Sequence, residues 1–239
     1  MIQTAICVDQ RFNGPPGIAN GGYICGMVAE HNNSPVEVTL RRPTPLEQPL
    51  QIERIEGIVT LVSSANEFLV EAKPANLELE VPNPPSYKEA VAASRRYSPY
   101  FDIHPYPTCF VCGTERMEGD GLRIFPGPVF GRELVAAPWV PDGSLADATG
   151  LVRSEFIWAA LDCPGVIASI TSAPRPILLG QLTADIRERV IAEERHMVIG
   201  WPLARDGRKH VVGSALFSES GQLIARAKAT WIEPKTRDV

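Results

Sequence analysis

The clearest period-two pattern in the chain lies in VEVTLRRPTP, where Val36, Val38 and Leu40 alternate with polar residues. This is the pattern of a strand with one buried face, ending at Pro43. LTADIRERV repeats the alternation at Leu182, Ala184 and Ile186, with Arg187 standing where Arg41 stands. The stretch LVSSANEFLVEAKPA (Leu61 to Ala75) lies without a gap over LFSESGQLIARAKAT (Leu216 to Thr230). Each reads as strand, polar turn and strand, with identities at Leu61/Leu216, Ser63/Ser218, Ala72/Ala227 and Lys73/Lys228. Any two hairpins share some likeness, but the order of elements argues for a repeat. Each meander follows one long apolar segment, from about Asn20 to His31 and from Ser154 through EFIWAALDCPGVIAS. Helices as apolar as YICGMVA and FIWAAL need enclosure, and an antiparallel sheet curled around each helix supplies it.

Between the copies, Leu79 to Glu118 is rich in proline and turn residues, with SYKEAVAASRRY as a short helix. It is too long for a simple loop and is expected to pack on the surface, over a pocket mouth. The second copy resumes with a strand in GLRIFPGPV, continued by RELVAAPWV. The layout is therefore a first half over 1–78, a connector with a C-x-x-C over 79–118 and a second half over 119–239.

A chain of 239 residues buries a substantial core as one large domain or two small ones. Its 44% hydrophobic and 21% charged residues are ordinary for a soluble globular protein, and a net charge of -5 offers no basic footprint for nucleic acid. No apolar run is long enough to span a membrane, and MIQTAICVDQRF lacks the regions of a signal peptide, so a cytoplasmic location is expected. The five cysteines, Cys7, Cys25, Cys109, Cys112 and Cys163, are odd in number and sparse, which suits free thiols in a reducing compartment.

The sequence GPPGIANGGY raises a chemical question, because glycines are poor helix formers and Gly21 and Gly22 sit at the mouth of a helix. The first amides of a helix have no intrahelical partner, and with the helix dipole they favour negative charge. Glycine lets a ligand approach that backbone. Asn20 is placed to cap the helix through its side-chain carbonyl, and Gly14, Pro15, Pro16 and Gly17 set the preceding turn. A tight turn and cap with no ligand explains the same residues. A P-loop does not, since no Lys-Ser/Thr pair follows the glycines.

The duplicated helix-plus-meander layout, together with GIANGGY, resembles the double hotdog fold of the acyl-CoA thioesterase superfamily, with Asn20 in place of the histidine of that superfamily's His-Gly-Gly motif. The resemblance covers both halves but not the connector. It implies an α+β tandem (double) hotdog, two antiparallel sheets each wrapped around a central helix and joined edge to edge. It also implies hydrolysis of an acyl-CoA or acyl-carrier thioester at a composite site between the halves. There the Gly21 and Gly22 amides, Gly22 foremost, would polarise the thioester carbonyl. The family takes its acid from the central helix, about two turns after the motif residue. That count from Asn20 lands on Val28; from Ser154, taken as its counterpart, it lands on Asp162.

Asp162 follows Trp158, Ala159, Ala160 and Leu161 in the most apolar helical stretch, where a charge is costly unless partnered. It is either a base or nucleophile, attacking through water or directly to give an anhydride, or a cap for a new helix beginning near Cys163, Pro164 and Gly165. Asn20, Tyr23 and Trp158 are candidates for substrate contact. The resemblance implies an acyl-CoA or related thioester as partner, admits a homodimer of double hotdogs and requires no cofactor. Hydratase chemistry is disfavoured, since neither helix carries a well-placed histidine. Asn20 and Val28 keep a second reading open, a non-catalytic protein binding acyl-CoA or lipid.

HPYPTCFVCG presents His104, Cys109 and Cys112, a spacing compatible with zinc or thiol redox chemistry. Zinc needs further ligands and no second close-spaced pair exists, although Cys163 or Glu115 could be supplied by the fold. A structured turn with free thiols and no metal is the expectation, and a metal-stabilised interaction module is the competing one. His31, His196 and His210 are expected on the surface. Arg41, Arg42, Arg205, Arg208 and Lys209 are solvated charges or partners for coenzyme A phosphates.

Overall fold

The computed structural model describes residues 3–32, 35–56, 58–63, 65–97, 103–170 and 175–235. Its elements run β1 (Gln3–Cys7), α1 (Gly21–Ala29), β2 (Val36–Leu40), β3 (Pro49–Ile55), β4 (Ile58–Ser63), β5 (Phe68–Pro74) and α2 (Tyr87–Ser94). They continue with β6 (Gly127–Pro128), β7 (Val135–Trp139), α3 (Ser154–Ala160), α4 (Cys163–Ser169), β8 (Leu178–Ile186), β9 (His196–Asp206), β10 (Lys209–Ser218) and β11 (Leu223–Ile232).

The strands form one 11-stranded sheet, ordered β1-β3-β4-β5-β2-β8-β11-β10-β9-β7-β6. The edge-to-edge joint expected between the sheets of the two halves lies at β2 and β8, which pair antiparallel from Val36↔Ala184 to Thr39↔Gln181, with Gln181 Nε2 donating to Thr39 Oγ1 at 3.3 Å, so that the two sheets are one continuous sheet. Left apart, each would expose a row of unpaired backbone groups, and pairing removes both edges at once.

The internal repeat is written into the hydrogen bonds. Val59↔Ala72 and Leu61↔Val70 in the first hairpin match Ser214↔Ala227 and Leu216↔Ala225 in the second, and both ladders shift register directly after the leucine. The backbone N–H of Arg41 donates to Leu69 O, and that of Arg187 to Ile224 O, both at 2.8 Å. Before the helices, Asp9 and Asp142 each cap a short 3-10 turn, and Glu47 and Glu193 each accept from the first amide of that turn at positive φ. Asn20 N donates to Phe12 O as Arg153 N donates to Leu145 O. The counterpart of Asn20 is therefore Arg153, one residue before the Ser154 chosen from sequence, and the counterpart of Asp162 shifts from Val28 to Ala29.

Several further expectations change. The segment from Ser154 is not one helix, since α3 ends at Ala160 and α4 starts at Cys163. Leu161 O at the break accepts from Ser214 Oγ at 2.6 Å, and Pro164, in the first turn of α4, sits where a missing N–H costs no helix bond. α1 packs on β2, β4 and β5 of its own half and also on β8 and along α3, and α4 covers β7, β9 and β10 of the second half. The connector, expected on the surface, enters the core: Phe110 and Val111 are fully buried, pinned by Phe110 N to Asn13 O and Ile124 N to Val111 O. Phe110 joins Phe12, Tyr23 and Phe156 in an aromatic cluster. Of GLRIFPGPV only Gly127 and Pro128 form a strand. His196 and His210 are buried; His210 Nε2 lies 2.7 Å from Glu233 Oε1.

The α1–α3 contact explains two of the helix glycines. A Cβ on Gly26 would lie 2.5 Å from Glu155 Cα, and one on Gly22 would lie 2.6 Å from Asp162 Cβ and 2.9 Å from Trp158 O. Each glycine costs about 1 kcal/mol of helix propensity relative to alanine, and the close approach of the two helices offsets it. Gly26→Val is expected to destabilise the chain by about 1–3 kcal/mol or more through overpacking against backbone, read as a lower urea midpoint. Residues 1–76 expressed alone would expose the β2 edge and the α3-facing side of α1. Aggregated material without a cooperative melt is expected from that fragment.

Candidate functional site

Asp162 is the first residue after the α3 break, 2% exposed, with φ -72 and ψ -76. It occupies the cap position of α4, one of the roles allowed from sequence, but its side chain makes no cap bond there. The carboxylate turns instead to the mouth of α1. Oδ2 accepts from Asn20 Nδ2 at 3.0 Å and from the Gly22 backbone N–H at 3.1 Å. Asn20 in turn accepts from Tyr23 N through Oδ1 at 2.9 Å, a regular N-cap. One asparagine thus ends the helix and aims its amide at an acid 142 residues away.

The acid and the glycine motif, far apart in sequence, are therefore brought together. Their roles divide differently from the sequence expectation. Gly22, expected to donate to a ligand carbonyl, gives its N–H to Asp162, and its lack of a side chain makes room for that acid. Gly21 lines a cavity of about 600 Å³. As the first helical residue it has an amide with no intrahelical acceptor. Tyr23 and Trp158 are not brought to the cavity wall. Tyr23 stacks on Phe12 with centroids 4.3 Å apart, and Trp158 packs beside Gly26. Asn20 is on the wall.

The pseudo-symmetric position at the α3 mouth does not repeat this arrangement. Arg153 makes no side-chain cap there, Glu155 stands where Gly22 stands, and Ala29 stands in place of Asp162. Glu155 pairs with Arg153 at 3.3 Å, while the Arg153 guanidinium lies over the Phe156 ring. One half supplies the helix mouth and the other the acid.

Burial, followed by the charge of Cys109, pushes the Asp162 carboxyl up to about 7 against the pull of its Gly22 and Asn20 donors. Oδ1 is buried and has no partner among the described residues. Beside it, Cys109, Cys112 and Cys163 bring their sulfurs within 4.8 Å of one another, all buried. The sequence named Cys163 and Glu115 as residues the fold could add to the C-x-x-C pair; the fold adds Cys163. Hydrogen bonds from Cys112 and Cys163 hold the Cys109 thiol well below its usual range, while those same bonds push the other two well above it. Asn20 Nδ2 also lies 3.8 Å from Cys109 Sγ. His104 accepts from Tyr106 N through Nδ1, and burial lowers its pKa.

The cavity wall is mostly apolar, with Ile24, Leu40, Val166, Ile167, Ile177 and Leu179 among its residues. Arg41, Arg42, Arg175, Arg208 and Lys235 also line it, so two of the five cations singled out from sequence are absent: Arg205 and Lys209 lie elsewhere. Thr44 and Trp231, which sequence reasoning missed, line it with a buried Oγ1 and Nε1 that have no partner among the described residues. Neither belongs to a motif, so no local signal marked them.

No protein-family model matches this sequence, and no curated protein matches it. The fold has clear likenesses among solved structures. The TesB protein of Mycobacterium avium subspecies paratuberculosis superposes with a TM-score of 0.63 at 13% identity, covering 98% of this chain and 93% of that one. The acyl-CoA thioesterase II TesB2 of Mycobacterium marinum gives 0.60 at 13% identity, covering 99% and 94%. No helix among the described residues is long and apolar enough to cross a membrane. Likeness over nearly the whole length of both chains, at so low an identity, shows shared architecture: the chain has the double hotdog fold of these thioesterase structures.

Proposed function

We propose that this chain hydrolyses a thioester, an acyl-CoA or an acyl-carrier conjugate, at the site where Asp162 meets the mouth of α1. The observation that carries the reading is the Asp162 carboxylate, held by Asn20 Nδ2 and the Gly22 N–H on the wall of an apolar cavity. The acyl chain occupies the apolar part of the cavity and the thioester carbonyl points at the Gly21 amide, where a preorganised donor stabilises the developing oxyanion. Asp162 accepts a proton from water as the water oxygen bonds to the carbonyl carbon. The tetrahedral intermediate then collapses, breaking the carbon–sulfur bond, and the departing thiolate takes up the proton held by Asp162, which restores the carboxylate. Asn20 fixes the carboxylate, Gly22 leaves space for it, and the cations on the wall suit the phosphates of a coenzyme A carrier. The layout of 1–78 and 119–239 as the two halves belongs to this reading. The thioesterase names of the structural likenesses support it as analogy of fold.

Asp162→Asn keeps the shape and an acceptor for both donors but removes the base. Hydrolysis of short, medium and long acyl-CoAs, followed by free thiol release, is expected to fall by about a hundredfold or more, with the melting temperature nearly unchanged. If the variant hydrolyses as fast as the parent, the carboxylate serves to lock two helices, and the chain is a binder of acyl-CoA or lipid. Asn20→Ala removes a helix cap as well as a donor to Asp162. It is expected to cost about 1 kcal/mol in stability together with a loss of turnover, measured by denaturation and thiol release on the same sample.

A further inference from the structure

The hydrolase reading leaves the thiol triad unused. Cys109 and Cys112 come from a tight turn in the connector and Cys163 from the start of α4, so three cysteines from two distant segments converge in the core. In a reducing environment a buried thiol packs as a small apolar group, and nothing about packing requires three sulfurs to meet.

We propose that Cys109, Cys112 and Cys163 form a binding site for a single thiophilic divalent ion, zinc by chemistry, with the fourth coordination position reached from the cavity. A tetrahedral zinc with Zn–S bonds of about 2.3 Å sets its sulfurs about 3.8 Å apart, inside the 4.8 Å within which these three already lie. That spacing fits one ion.

The turn that presents the first pair is rigid and shaped for this. Gly113 N donates to Cys109 O at 2.9 Å and Cys109 N to Tyr106 O at 2.9 Å. A Cβ on Gly113 would collide with the Cys109 backbone, so the residue after the second cysteine must be glycine. Tyr97 Oη donates to Cys112 O at 3.3 Å, holding the far side of the turn. Such outer contacts orient metal ligands.

Asp162 directly precedes Cys163, and its buried Oδ1 has no partner among the described residues. Binding releases the thiol protons to solvent as three thiolates form on the ion. All three cysteines line the cavity, so the remaining coordination position takes water or a soft donor group of the cavity's ligand.

The inference does not depend on hydrolysis, and its test reads the metal alone. Full-length protein, purified without chelators and reduced with a phosphine, is expected to hold about one zinc per chain by elemental analysis. After removal of that metal, cobalt(II) is expected to give the thiolate charge-transfer band and visible d–d bands of a tetrahedral sulfur-rich site, reversed by zinc. Cys109→Ser should abolish these bands, while Cys7→Ser, at an exposed position, should leave them intact. The unmodified chain keeps the test decisive if Cys109→Ser fails to fold. Reduced, folded wild-type protein that contains no zinc and develops no cobalt spectrum overturns the proposal, as does a Cys109–Cys112 disulfide whose reduction still yields no cobalt binding. Loss of thioester hydrolysis in Asp162→Asn, or its absence altogether, leaves these readouts unaffected.

Discussion

The contact between Asp162 and the start of α1 is the constraint around which the molecule is arranged. A carboxylate at 2% exposure needs donors close by, and here two come from the helix of the other half. For those donors to reach it, α1 and α3 must approach until backbone nearly touches side chain, so the facing positions are glycines. For the acid to point across the interface, the second helix must stop at Leu161 and resume at Cys163. The orphan carbonyl this creates is capped by Ser214 from the sheet beneath. Helix packing, the helix break and the strand below are thus coupled through one side chain.

The two halves share a scaffold and differ at the candidate site. The hairpin ladders and the two glutamate-braced 3-10 turns still match between halves down to the same register shift. The helix mouths do not match. Asn20 and Gly22 face Arg153 and Glu155 at equivalent positions, and the acid is present in one direction only. At the α3 mouth the Arg153 guanidinium lies over the Phe156 ring. A duplicated chain frees each half from serving both sites at once, which a symmetric dimer of single copies cannot do. Helix α4 brings Cys163 to the connector's cysteine pair.

The sequence by itself determined the repeat, because hairpin periodicity and polar turns are local properties and survive as pattern even when few identities remain. It matched β2 to β8 as equivalent strands through Arg41 and Arg187, named the helix cap at Asn20, and singled out Asp162 because an acid in an apolar run is anomalous in one dimension. Tertiary structure decided what no local pattern encodes. The register of the joint between the halves is one such feature, with Thr39 of β2 set against Gln181 of β8, 142 residues away. Gly22 turned from a ligand donor into the partner of Asp162, since its neighbour across the interface could not be read from its neighbours in the chain. Tyr23 and Trp158 went to the core for the same reason: on a helix buried nearly all round, an aromatic side chain facing a cavity and one facing another helix carry the same sequence signal. Thr44 and Trp231 reached the cavity wall only through folding. The cysteine cluster shows the limit most plainly, for a C-x-x-C is legible along the chain, while its third sulfur arrives from a helix whose position depends on the whole sheet.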